Sequence, residues 1–314
     1  MGNALKTFNR RVPYALRLVL VLVFGVFLYG SGQSAVAVIS KMNGGAPACV
    51  WPRTLLFGFD LLRLEGQRLA SGLRISQIDQ DAKLGIQQFS TSGRPFWIKQ
   101  AGTSRNGKEL LRYLLSEHEW MASINSSDHV KPGDVVVDCG AHVGTFTDIA
   151  LRRGASKVVA IEPDPINLEC LRRNFAPEIA SGRVIVVPKG VWSSEKVLTL
   201  YTGGENSGTN SMVMDQNGGR VDVPVTKLDS IVEELKISRV HFIKMDIEGA
   251  EREALRGGLQ TLKRDFPTLM LDTYHLQDDM RVLPAIIHEA NPRYRMNCGP
   301  CEETFTPHVS YFHQ

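Results

Sequence analysis

From residue 135 onward the chain repeats one pattern: a short apolar run, a break, then a stretch with helical apolar spacing. The first instance is "VVVDCGAHVGTFTDIAL", residues 135 to 151. Residues 135–138 predict a strand, and residues 144–153 predict a helix beyond the glycines. The same alternation predicts strands at 157–162, 184–187, 241–246 and 268–273 and helices at 165–174, 228–235, 250–257 and 283–290. Consecutive parallel strands need a long return connection, and a helix is the compact way to make it. The expected fold class is therefore α/β: a doubly wound, mostly parallel sheet with helices on both faces. Segments near 294–299 and 303–312 would close an antiparallel edge, and "VLTLYTGG" with "RVDVPVT" forms an inserted antiparallel pair. A ligand of such a sheet sits at the carboxyl ends of its strands.

The amino end has a different character. Residues 18–40 carry no charge and follow Lys6, Arg10, Arg11 and Arg17. Three readings stay open: a single-pass anchor whose basic side faces the cytoplasm, a signal peptide cleaved after "SGQSAVA" at Ala35 and Ala37, or a buried core helix, for which 23 uncharged residues are long. The anchor is preferred, which puts the rest of the chain on the non-cytoplasmic side; cleavage would leave it secreted or periplasmic. Residues 1–17 are then a basic lead, 41–84 a Gly- and Pro-bearing stem with a helix near 54–70, and 85–314 the main folded domain. Within that domain "IQQFSTSGRPFWIKQ" reads as a hairpin and "GKELLRYLLSEHEWMASI" as a helix. A net charge of +3, with no basic run, argues against a nucleic-acid partner.

The chemistry gathers at strand ends. Asp138, Gly140 and Gly144, with Ala141 and His142 between them, replace the three glycines of a dinucleotide loop. A carboxylate at that place repels phosphate and tolerates a sulfonium or ammonium group, so the loop points to S-adenosylmethionine; the other reading is a tight turn with Asp138 as a helix cap. Glu162, at the end of the second strand, is placed to accept the hydroxyls of a ribose. In "FIKMDIEGAEREAL" three carboxylates, Asp246, Glu248 and Glu251, crowd one strand mouth. They can orient a substrate hydroxyl, bind the cationic end of a cofactor or hold a divalent metal, while helix capping accounts for Glu251. His275, after "LMLDTY", is a candidate general base, with Asp272 in reserve. The polar loop "GGENSGTNSM" suits a polar acceptor. "CGPC" (298–301) imitates a thiol redox motif without the strand-to-helix setting that chemistry needs, and no second cysteine pair completes a metal site.

The motifs "VVVDCGAHVGT", "VVAIEPDP" and "FIKMDIEGAEREALRG", in that order, resemble the FkbM family of S-adenosylmethionine-dependent methyltransferases. The resemblance covers about residues 85 to 314 and implies a class I methyltransferase (Rossmann-like) fold that O-methylates a sugar, glycolipid or other small metabolite. It carries Asp138, Gly140, Gly144 and Glu162 over to the cofactor, with Ala141 and His142 in the same loop. Asp246 and Glu248 match its characteristic acids, and with His275 they are the catalytic candidates. The alternatives are a nicotinamide-dependent oxidoreductase, an inactive membrane-tethered binding module, and a thiol oxidoreductase built on Cys298 and Cys301.

Overall fold

The computed structural model describes residues 24–35, 38, 39, 59, 62, 66, 69, 74–100, 107–124, 129–203, 207–298 and 309–314. Its centre is a seven-stranded sheet built from β4 (Val135–Cys139), β5 (Lys157–Ile161), β6 (Val184–Val187), β10 (Phe242–Met245), β11 (Thr268–Asp272), β12 (Arg295–Cys298) and β13 (Val309–His313). The order across the sheet is β12-β13-β11-β10-β4-β5-β6. The run from β11 to β6 is parallel, whereas β13 lies antiparallel to β11 and to β12.

Strand alternation builds two cores, because successive side chains point to opposite faces. Val136, Val158, Ala160, Phe242 and Met270 enter one core. Their neighbours Val137, Val159, Ile161, Ile243 and Leu271 enter the other. Helices α1 (Gly107–Ile124), α2 (Thr145–Arg152) and α3 (Pro165–Asn174) cover the first face through Leu111, Phe146 and Leu171. Helices α5 (Leu228–Glu234), α6 (Glu251–Arg256), α7 (Leu259–Asp265) and α8 (Asp279–Ala290) cover the second through Ile231, Leu255, Leu262 and Ile287. The chain changes face when it leaves the edge strand β6 and re-enters beside β4 as β10. That reversal parts the loops after β4 and β10 and opens a crevice between them.

Two smaller sheets flank the centre. One is β1 (Ser76–Asp81), β2 (Ile86–Ser90) and β3 (Phe96–Lys99); the other, between β6 and β10, orders β7 (Gly190–Val191), β9 (Arg220–Thr226) and β8 (Lys196–Tyr201). The expected hairpins at β2–β3 and β8–β9 form. Strand β1 lies in the stretch read as stem: "SQIDQD" has no apolar alternation, and its pairing with β2 makes it a strand. Helices α4 (Ala176–Ala180) and α7 were also not anticipated, since each follows another helix after one or two residues. At the amino end, residues 24–35 are helical. Among the described residues no helix is long and apolar enough to cross a membrane. Residues 1–23 and 40–58, which complete the expected anchor and most of the stem, lie outside the described residues, as does Cys301 of "CGPC".

Candidate active site

The loop after β4 depends on two glycines. Gly140 has φ +75°, and a Cβ there would lie 1.9 Å from the carbonyl oxygen of Asp246. Gly144, the N-cap of α2, has φ +92°, and a Cβ would lie 2.1 Å from the Phe175 ring. Left-handed backbone costs glycine little and other residues more, so Gly140 lets the loops after β4 and β10 approach at the crevice, and Gly144 lets the start of α2 pack against Leu171 and Phe175. Gly140, Ala141 and His142 line it, together with Glu162, Lys244, Asp246 and Glu248, around a volume of about 700 Å³.

The structure corrects the expected place of Asp138. It is not at the lip: its side chain is fully buried and accepts a hydrogen bond from Thr147 Oγ1 at 2.7 Å. Its charge is met from below the crevice by Lys244, whose Nζ lies 3.6 Å from Asp138 Oδ1 and 3.7 Å from Asp246 Oδ2. Lys244 also donates to the carbonyl of Gly140 at 2.9 Å, tying the loop to β10. Burial opposes charge on both partners; it raises Asp138, while on Lys244 the surrounding carboxylates outweigh it and hold the ammonium charged. Lys244 was absent from the residues read as functional, although a lysine inside the apolar run "HFIKMD" is itself a signal, because a buried charge demands a partner.

Glu162 stands at the end of β5 with its carboxylate held by two backbone amides, those of His142 and Asp164, each at 2.9 Å. Burial is the largest influence on this carboxyl and pushes it up to about 7. The His142 ring makes a 2.8 Å hydrogen bond with Ser207 Oγ, so the loop expected to meet an acceptor folds over this crevice, while its Gly208 and Thr209 also line a second cavity beside it. Ser207, Gly208, Asn210 and Met212 form that cover. Burial, then Lys244, lowers His142 to about 4, and the ring is neutral at physiological pH.

The third group lies across the crevice. Glu248, with left-handed backbone at φ +52°, and Asp246 project from the β10–α6 loop toward His275 of the β11–α8 loop. His275 Nε2 lies 3.5 Å from Glu248 Oε2 and 3.8 Å from Asp246 Oδ1, while Nδ1 lies 3.0 Å from Glu251 Oε1. Glu251 Oε1 also accepts the Ile247 amide at 2.9 Å, so this acid braces its own turn. Arg252 ties α6 to α8 through Asp279 at 2.8 Å and thereby fixes the two loops against each other. Burial opposes the imidazolium of His275, but the Glu251 hydrogen bond and the three carboxylate charges outweigh it and push the ring up to about 10. A ring already protonated at neutral pH cannot accept a proton, which corrects its reading as general base. Burial pushes Glu248 up to about 7, so that, like Glu162 across the crevice, it titrates near neutrality.

Asp246 and Glu248 also line a second cavity of about 710 Å³ with Tyr113, Glu117, Asp272 and Tyr274. The two carboxylates thus form the partition between two spaces. His275 lines neither; its side chain is 3% exposed.

The doubly wound sheet with an antiparallel edge, and a crevice at its strand reversal, is the class I methyltransferase arrangement. The chain belongs to the family described as the methyltransferase FkbM domain, whose model matches residues 138–296, just over half of its length. It is 27% identical over 157 residues to 31-O-demethyl-FK506 methyltransferase FkbM of Streptomyces tacrolimicus, covering 41% of this chain and 60% of that protein. It is 26% identical over 160 residues to hexuronic acid methyltransferase AglP of Haloferax volcanii, covering 51% of this chain and 59% of that protein. The matches thus span about three fifths of the relatives' own lengths. Among solved structures, a methyltransferase FkbM from Methylobacillus flagellatus aligns at 19% identity with a TM-score of 0.44, covering 83% of this chain and 62% of that one.

Proposed function

We propose that the chain is an S-adenosylmethionine-dependent methyltransferase acting on a hydroxyl of a sugar, glycolipid or other small metabolite. The observation that carries this reading is the meeting of two cavities at Asp246 and Glu248, one under the glycine loop and one open to an acceptor. One relative is named for an O-demethyl substrate and another for a hexuronic acid, which favours an oxygen acceptor.

The donor set fits the cofactor. Glu162 offers lone pairs to two ribose hydroxyls, and Gly140, Ala141 and His142 offer close backbone. Asp246 and Glu248 favour a cationic centre over a phosphate. Asp138 acts through Lys244, which fixes the Gly140 carbonyl and so the height of the loop. When bound, S-adenosylmethionine supplies a methyl group on a sulfonium, whose carbon–sulfur bond breaks with its electron pair left on sulfur as the bond to the acceptor oxygen forms. Glu248 takes the proton of that hydroxyl, and the partition holds the oxygen in place, an orientation worth several kcal/mol in enzymes of this kind. Residues 18–40 are read as a membrane anchor, supported by the basic flank and by Phe24, Phe27 and Leu28, each more than half exposed on the described helix.

Calorimetric titration of the full chain with S-adenosylhomocysteine tests the reading, with NADH in parallel. Heat is expected with the first ligand alone. Because burial raises Glu162 to about 7, the accepting carboxylate is lost as pH falls. Affinity should fall about ten-fold from pH 8 to pH 6, whereas Glu162→Gln should bind weakly at both. No heat with S-adenosylhomocysteine, or heat with NADH alone, refutes the proposal.

A further inference from the structure

We propose that Asp246, Glu248 and His275 form a divalent-cation site on the partition between the two cavities, where the cation holds the acceptor hydroxyl. One donor atom from each residue lies within 4.8 Å of the others. Donors bound to one ion at about 2.1 Å stand about 3.0 to 3.4 Å apart, so the 3.5 Å and 3.8 Å separations close with a small side-chain shift.

The second observation is the histidine itself. Its side chain is 3% exposed, yet Nε2 makes no hydrogen bond among the described residues while it faces two carboxylate oxygens. Its other nitrogen is turned to Glu251, whose side chain is 1% exposed and which also accepts the Ile247 amide. A cation held between the two carboxylates takes the place of the Nε2 proton, and with the Nδ1 proton kept on Glu251 the freed Nε2 lone pair is directed at that cation. A carboxylate that fixes the far nitrogen is also how metal-ligating histidines are oriented.

The surroundings fit the same occupant. Glu117 and Asp272 add to the acids around the second cavity, and among the described residues no lysine or arginine lines it, Lys244 standing in the first cavity, 3.7 Å from the other oxygen of Asp246. Two carboxylate oxygens and one imidazole suit a first-row divalent cation such as Mn²⁺ or Fe²⁺. Three protein donors leave coordination positions open, and a cation there lowers the pKa of a bound hydroxyl. The second oxygen of Glu248 is then left to accept the proton. This role rests on the methyltransferase reading, but the cation site itself does not.

The test is Mn²⁺ binding to the full chain, followed by loss of the free-ion electron paramagnetic resonance signal without cofactor. Far-ultraviolet circular dichroism and a cooperative thermal melt of each variant serve as the folding control, and S-adenosylhomocysteine calorimetry is run on the wild type. One ion per chain is expected in the wild type, with binding lost in His275→Ala and in the near-isosteric Glu248→Gln. Glu251→Gln should bind about 10- to 100-fold more weakly, and each variant should keep the wild-type dichroism and a cooperative melt. A wild type that binds S-adenosylhomocysteine but no Mn²⁺ overturns the site and leaves the methyltransferase reading standing, as does Mn²⁺ affinity unchanged in Glu248→Gln. Mn²⁺ bound without any S-adenosylhomocysteine heat supports the site and removes the function proposed above.

Discussion

Asp138 and Lys244 are register partners across the parallel pair β4 and β10. Neither side chain is more than 3% exposed, so removing one charge strands the other out of water. Asp138→Asn keeps the shape and the Thr147 contact but leaves Lys244 with Asp246 alone. Such a change should cost about 3 kcal/mol, the lower end for a broken buried pair, read as a lower urea midpoint at unchanged slope. A midpoint equal to the wild type would show that Asp246 and the Gly140 carbonyl suffice for the lysine. The sequence singles out Asp138 by its place before the glycines. It assigns the opposing charge to a bound guest, because the true partner is 106 residues away and only strand register brings it alongside.

At the scale of elements, the site is four loops held at the carboxyl ends of β4, β5, β10 and β11. Their approach is closest at Gly140, where a methyl group would overlap the Asp246 carbonyl and the backbone is left-handed. Gly140→Ala should therefore push β4 and β10 apart, costing about 3 kcal/mol and abolishing S-adenosylhomocysteine binding. Full binding with an unchanged denaturation midpoint would show that the loops do not need this contact. The strands and their helices were readable because apolar runs and glycine breaks are local. Strand β1 and the short helices α4 and α7 were not, since their polar or brief segments take shape from the elements they touch. The β11–α8 loop was legible as a place for His275 but not for its state, which the three carboxylates from another loop decide.

The whole molecule places its crevice where the chain reverses across the sheet. Phe24, Val26, Phe27, Leu28 and Tyr29 are each more than half exposed on the described helix. Apolar surface of that kind calls for a cover, and the basic residues before it favour a membrane with that flank in the cytoplasm. Fractionation checks the anchor: the full chain should sediment with membranes, and a chain lacking residues 1–40 should be soluble. A carboxyl-terminal tag should resist protease added from the cytoplasmic side. A full chain recovered in the soluble fraction would remove the anchor, and a tag cut from the cytoplasmic side would invert the topology. The second result would also put the crevice in the compartment where S-adenosylmethionine is made.

The sequence by itself determined the alternation that demands a doubly wound sheet, the glycine turn at Gly140 and Gly144, and the acids that end three of its strands, because each is written in neighbouring residues. Tertiary structure alone decided that Lys244 neutralises Asp138, that residues 207–212 reach over the crevice as well as the second cavity, and that Asp246, Glu248 and His275 converge. The reason is the range of the forces involved. Backbone preference acts over a few residues, whereas charge, burial and metal-ligand geometry depend on distances in space that only the packed sheet sets.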